Sequence, residues 1–188
     1  MLAALGLDED RPDVRAEAMR IARRLHASGA KAIGLVPGDA RVAVPPIAIE
    51  IGLALCDLTG ASVAVVDANV RYPALSSIVR GEAVSADHSV FATRWLLDSL
   101  ALLVPPRVER AGEVVPQLAR LLLEGANLFQ HILCDLTGLE VIGEHGSAAA
   151  CMDAVILLGR AHKIHEAELL ALSRLMPQGR FMGVLLVG

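Results

Sequence analysis

Residues 38–46 read Gly-Asp-Ala-Arg-Val-Ala-Val-Pro-Pro and sit between two apolar stretches, where a phosphate-binding loop belongs. Such a loop has the spacing Gly-x-x-x-x-Gly-Lys-Ser/Thr. Its backbone N–H groups cradle phosphates, its lysine reaches the β/γ-phosphates, and its hydroxyl ligates Mg²⁺. Gly38 keeps the first glycine, but Ala43 stands at the second, Val44 at the lysine and Pro45 at the Ser/Thr position. Pro45 also lacks an N–H where a helix N-terminus would hold an anion. Asp39 adds a negative charge, and Arg41 is the only cation in the loop. The spacing is that of a phosphoryl-transfer loop, and the groups that grip a phosphate are missing. No cofactor and no metal are expected there.

Two further acids end short apolar runs: Asp67 after Val63–Val66 and Asp135 after the 128–134 stretch. An aspartate at the end of a buried strand can hold Mg²⁺ through water or orient an attacking hydroxyl. It can equally serve as a cap or turn residue bonded to loop amides, a role that needs no metal. Both readings stay open at this level.

The elements that must position these residues follow from the pattern. Pro12 and Asp13 open a helix whose apolar face is Val14, Ala18, Ile21, Ala22 and Leu25, and Gly29 stops it. Residues 31–36 read as the first strand. Residues 45–58 are apolar nearly all round; Ile47, Ile49 and Ile51 alternate as a strand would, but the length and the Pro-Pro entry favour a buried helix. Strands are expected over 63–67, 128–135, 152–158 and 181–187, a hairpin or paired strands over 91–97 and 100–104, and helices over 114–125 and 166–176. A small helix and loop are expected over 74–89. Alternating strands and helices predict an α/β fold with a mainly parallel sheet flanked by helices.

Composition narrows the class. The chain has 188 residues, 54% hydrophobic but only 3% aromatic, so the core must be built from Leu, Val, Ile and Ala. That length suits a single domain, 1–188. No stretch approaches the roughly 18 apolar residues of a membrane span. Asp8, Glu9 and Asp10 precede any long apolar run, so no signal peptide is expected. A net charge of −4 gives no footprint for nucleic acid. The expected location is cytoplasmic. Cys56, Cys134 and Cys151 are widely spaced with no C-x-x-C pair and read as small core hydrophobes. His162 and His165 lack a second ligand pair nearby and read as solvated residues at a helix start.

Taken together, these segments resemble the bacterial tyrosine kinases of polysaccharide export (CpsD/CapB-like), in the MinD/ParA-like branch of P-loop NTPases. In that family a Walker A loop precedes a strand ending in Asp-x-Asp-x-Arg and a Walker B strand ending in Asp. Here the second motif stands as Asp67-Ala68-Asn69-Val70-Arg71, with Asn69 for the second acid, and continues Tyr72-Pro73-Ala74-Leu75. Walker B resembles His131-Ile132-Leu133-Cys134-Asp135. The resemblance spans about residues 13–188 and implies the P-loop NTPase fold with a degenerate Walker A. It also matches the family's Glu-x-x-Arg-x-x-Arg ring-forming helix at Glu17, Arg20 and Arg23; an ordinary charged helix surface is the other reading of those residues.

Departures from the family define the functional expectation. The signature lysine of MinD-type loops is replaced, by spacing, with Asp39, and Tyr72 is the only tyrosine, so the family's tyrosine cluster is missing. The resemblance then implies a catalytically inactive pseudo-ATPase or pseudokinase acting as a self-associating scaffold or adaptor. Its site residues Asp67, Asn69, Arg71 and Asp135 would be vestigial. Its partner would be a membrane-anchored co-polymerase or a kinase homologue, which would recruit it to the membrane. The alternative is a weak ATPase or tyrosine kinase using ATP and Mg²⁺, with Asp67 and Asp135 acting beside a cation from a neighbouring subunit.

Overall fold

The computed structural model describes residues 12–69, 73–75, 92–104 and 111–188. Their elements run in the order α1 (Pro12–Ser28), β1 (Ala32–Pro37), α2 (Val44–Thr59), β2 (Val63–Asp67), β3 (Ala92–Leu97) and β4 (Leu100–Val104). A 3-10 turn (Ala111–Glu113) leads into α3 (Val114–Gly125), then β5 (His131–Asp135), α4 (His145–Ala150), β6 (Ala154–Arg160), α5 (Glu166–Leu175) and β7 (Phe181–Val187).

The strands form one seven-stranded sheet in the order β3-β4-β2-β5-β1-β6-β7. Every pairing is parallel except the β3–β4 hairpin at one edge. The central strands are buried on both faces, which explains their unbroken aliphatic text. On one face Ile33, Leu35, Val63, Val65 and Leu133 pack with α1 and α2; on the other, Ala32, Val36, Ala64, Val66 and Ile132 pack with α3 and α4.

The run of 44–59 is helical because α2 lies over the sheet, where Ala48, Ile49, Ile51, Gly52, Ala54 and Leu55 are all buried. The Ile47/Ile49/Ile51 alternation is incidental. Helix α1 ends as its sequence predicts: Gly29 takes φ +74°, the left-handed region, and its N–H donates to the His26 carbonyl at 3.1 Å.

Three expectations are corrected. The 128–135 strand begins only at His131, because the Leu128 and Phe129 N–H groups turn back onto the Gly125 carbonyl at 2.9 and 3.0 Å. The 152–158 strand is shifted to Ala154–Arg160. Helix α4, six residues reading His-Gly-Ser-Ala-Ala-Ala, was not anticipated, since it carries no apolar periodicity. The expected helix and loop over 74–89 fall outside the described residues except for 74 and 75, which form a turn.

Candidate functional site

The topology brings the sequence's chemistry to one end of the sheet. β1 is paired on either side by β5 and β6, and its carboxyl end feeds the 38–43 loop and then α2. The helix starts at Val44, the position a phosphate-binding lysine would take. The scaffold spacing is thus kept.

What fills the loop differs from a phosphate cradle. Val44 is 0% exposed and belongs to the core on the α1/α2 face. Ala43 precedes the helix with no side-chain cap, and prolines occupy the helix's second and third positions. Of the first three helical residues only Val44 offers an N–H, so the anion-binding property of a helix start is largely removed.

The loop is held by its own contacts. The Gly38 N–H donates to the Leu158 carbonyl at 2.7 Å. A Cβ at Gly38 would lie 2.5 Å from Ile164 Cδ1 and 3.0 Å from that same carbonyl, so close approach to β6 explains the glycine. Asp39 accepts the Arg41 N–H at 2.8 Å on one oxygen and the Arg160 Nε–H at 3.0 Å on the other. Partial burial pushes against ionisation, but the Arg41 amide and the Arg160 guanidinium hold the Asp39 carboxylate below its ordinary range. Arg41 itself is exposed, and its backbone, not its guanidinium, bonds to Asp39. Arg160, the last residue of β6, is the loop's partner that sequence reasoning missed; it lies 121 positions from Asp39, and no local pattern links the two.

Asp67 and Asp135 are register partners on β2 and β5. Both are 1% exposed. Asp67 accepts the Asn69 N–H at 3.1 Å on one oxygen and the Leu75 N–H at 2.7 Å on the other. Burial raises its pKa, and those two amides partly offset the rise. Asp135 Oδ1 accepts the Thr137 N–H at 2.9 Å and also the Thr137 hydroxyl. Among the described residues, its Oδ2 is buried without a hydrogen-bond partner. Burial raises the Asp135 carboxyl to about 6; Thr137 opposes the rise, and the charges of Asp67 and Glu140 add to it.

Asp67 therefore has the loop-amide role that its position allowed. Asp135 shares that role on one oxygen only. Asn69 is half-buried beside Asp67, and Arg71 lies outside the described residues. Among the described residues no group of three or more His, Cys, Asp or Glu side chains is placed to hold a metal ion.

Away from this end, Glu17, Arg20 and Arg23 are exposed on α1, opposite the buried Ala18, Ala22 and Leu25. Glu17 and Arg20 form an ion pair, with Arg20 Nε–H donating to Glu17 Oε2 at 2.9 Å. Cys56 and Cys134 are buried, as core hydrophobes should be, while Cys151 is only half-buried. His162 and His165 are exposed at the start of α5. No helix among the described residues is long and apolar enough to cross a membrane.

No family model and no curated protein matches the sequence. Solved structures do match the fold. The BceF tyrosine kinase domain superposes with a TM-score of 0.69 at 18% identity, covering 93% of this chain and 76% of that one. The kinase domain of the Escherichia coli tyrosine kinase ETK gives 0.71 at 14% identity, covering 93% and 74%. A ParA family ATPase from Chlorobium tepidum TLS gives 0.55 at 14% identity, covering 84% and 74%. The chain has the α/β fold shared by bacterial tyrosine kinase domains and ParA-family ATPases.

Proposed function

We propose that this chain is a pseudo-ATPase or pseudokinase, a self-associating scaffold or regulatory adaptor built on a tyrosine-kinase-like fold. One observation carries the reading: the lysine position of the loop is a buried core valine, and the helix start behind it is a pair of prolines. A single placed cation contributes about 10³–10⁵ in rate to phosphoryl transfer. Replacing both the lysine and the metal-binding hydroxyl with apolar groups leaves little to catalyse with. The Asp39–Arg160 pair adds a carboxylate where a triphosphate would need positive charge.

The structural neighbours include tyrosine kinase domains. On that likeness we place the adaptor in polysaccharide export or in cell-envelope positioning. Its partner there would be a membrane-anchored co-polymerase or an active kinase homologue, and it would act in the cytoplasm, recruited to the membrane by that partner. The test is isothermal titration with ATP and Mg²⁺: no binding is expected at millimolar ligand, and micromolar affinity overturns the proposal.

A second reading, a weak ATPase or tyrosine kinase using Asp67 and Asp135, is favoured by the one unpartnered oxygen of Asp135. It requires phosphate release that rises steeply with protein concentration and vanishes in Asp135→Ala. Concentration-independent background release eliminates it.

A further inference from the structure

We propose that the outer edge of β7, with the flank of α5 beside it, pairs with the same edge of a second copy about a two-fold axis, joining two sheets into one. The pairing does not depend on the pseudo-ATPase reading. It also uses a different surface from Glu17, Arg20 and Arg23, since α1 packs on one face of the sheet and α5 on the other. Among the described residues β7 ends the sheet and pairs with β6 alone. Its residues, Phe-Met-Gly-Val-Leu-Leu-Val, include no charge and no proline, two of the devices that keep an edge strand solitary, whereas the β3 edge carries Arg94. Val184 and Leu186 are 42% and 57% exposed.

The backbone fixes the register. The Val187 carbonyl accepts the Ala161 N–H at 2.7 Å, so Val187 and, by alternation, Leu185 turn their peptide groups toward β6. Val184 and Leu186 turn theirs outward. The register shift is confined to the start of β7, beside Gly183 at φ +136°, which leaves 184–187 regular. An antiparallel copy centred on Leu185 then sets each Val184 opposite the other chain's Leu186, as pairs that exchange both N–H···O bonds. Leu185 meets its own copy in the non-hydrogen-bonded position between them. The apposed side chains are all apolar, and no like charges meet.

Helix α5 supplies the charge complementarity. Glu166, Leu170 and Arg174 stand exposed at i, i+4 and i+8 along one flank of it. A right-handed crossover from β6 through α5 to β7 turns that flank toward the β7 edge. A Cβ placed on Gly159 would lie 3.3 Å from Leu186 Cδ2 and 3.5 Å from Leu169 Cδ2, so the middle of α5 is level with Leu186. The axis through the Leu185 pair therefore passes beside Leu170. Two copies bring their α5 helices antiparallel on one face of the joined sheet. Leu170 then faces Leu170, and Glu166 of each chain faces Arg174 of the other. An unrelated strand could use the backbone edge alone; the self-matching stripe on α5 selects a second copy.

Disulfide capture in the full chain tests the pairing, with Cys151→Ser removing the half-buried thiol. Cα atoms of a non-hydrogen-bonded antiparallel pair are about 4.5 Å apart, within disulfide reach. Leu185→Cys should therefore cross-link two chains on oxidation, and Val184→Cys, offset from its own copy, should not. In the Leu185→Cys chain, Arg174→Glu should cut the cross-linked fraction about tenfold. Glu166→Arg/Arg174→Glu should restore it, and Arg20→Glu/Arg23→Glu should leave it unchanged, with circular dichroism confirming that each chain is folded. Hydrogen exchange of the unsubstituted chain gives a second reading: the Val184 and Leu186 amides should gain protection as protein concentration rises. Absence of a Leu185→Cys cross-link, equal cross-linking at Val184→Cys, or exchange independent of concentration overturns the proposal. So does indifference to Arg174→Glu, which would mean an edge open to any strand, failure of the charge swap to restore pairing, or loss of pairing in Arg20→Glu/Arg23→Glu.

Discussion

Asp135 sets the clearest residue-scale expectation, because its carboxyl is buried, half-satisfied and raised to about 6. In the unfolded chain the same group titrates near its ordinary value of 3.8. Below that value both states carry the proton and no charge is buried. Between about pH 4 and pH 6 the unfolded state gives up its proton first, so stability falls as pH rises and the loss is complete once the folded group ionises. Asp135→Asn keeps the shape and the bond from the Thr137 N–H without the charge. It should match the parent near pH 4 and exceed its stability by on the order of 1–3 kcal/mol at pH 7. Urea unfolding of both chains at the two pH values checks this; equal stability at pH 7 would mean the acid is ionised at no cost. Strand-end position marked Asp67 and Asp135 in the sequence. The sequence did not show which oxygens were satisfied, because the Leu75 amide that binds Asp67 is eight residues away.

The elements were legible wherever a single force dominated. Doubly buried strands such as Val63–Asp67 and Leu100–Val104 read as uninterrupted aliphatic runs, and α3 showed its buried stripe of Val114, Leu118, Leu121 and Leu122 at helical spacing. Helix α4 was invisible because small residues carry little pattern, and the start of β5 was misplaced because Leu128, although apolar, is 70% exposed in a turn. The loop before α2 is where local and long-range demands meet. Its glycine is required by contact with β6 and with Ile164, in the turn before α5, and not by a positive φ, so Gly38→Ala must displace the Ile164 side chain and crowd the Leu158 carbonyl. The expected loss is about 1–3 kcal/mol, read as a lower urea midpoint with an unchanged slope. An unaffected midpoint would show that the loop yields freely and is not held against β6.

For the whole molecule, the sheet gathers the loop, Asp67 and Asp135 at its carboxyl end, holds the hydrogen-bonded His26–His131 pair at its amino end, and carries α1 along one face. Self-association through Glu17, Arg20 and Arg23 is a proposal at this scale, resting on their common exposure along α1. Arg20→Glu/Arg23→Glu should lower the mass seen by light scattering toward that of one chain, and an unchanged mass removes α1 from the assembly. The architecture was readable from the alternation of strands and helices. The pairing of Asp39 with Arg160 was not, since it exists only after the 38–43 loop and β6 are brought side by side. The prolines behind that loop also give it a direction in time. Val44→Lys alone would bury an unpaired ammonium, and Pro45→Thr alone would gain a hydroxyl with no ion to hold. Val44→Lys thus weakens the protein before it restores anything, and the proposed loss of turnover would be hard to reverse one residue at a time.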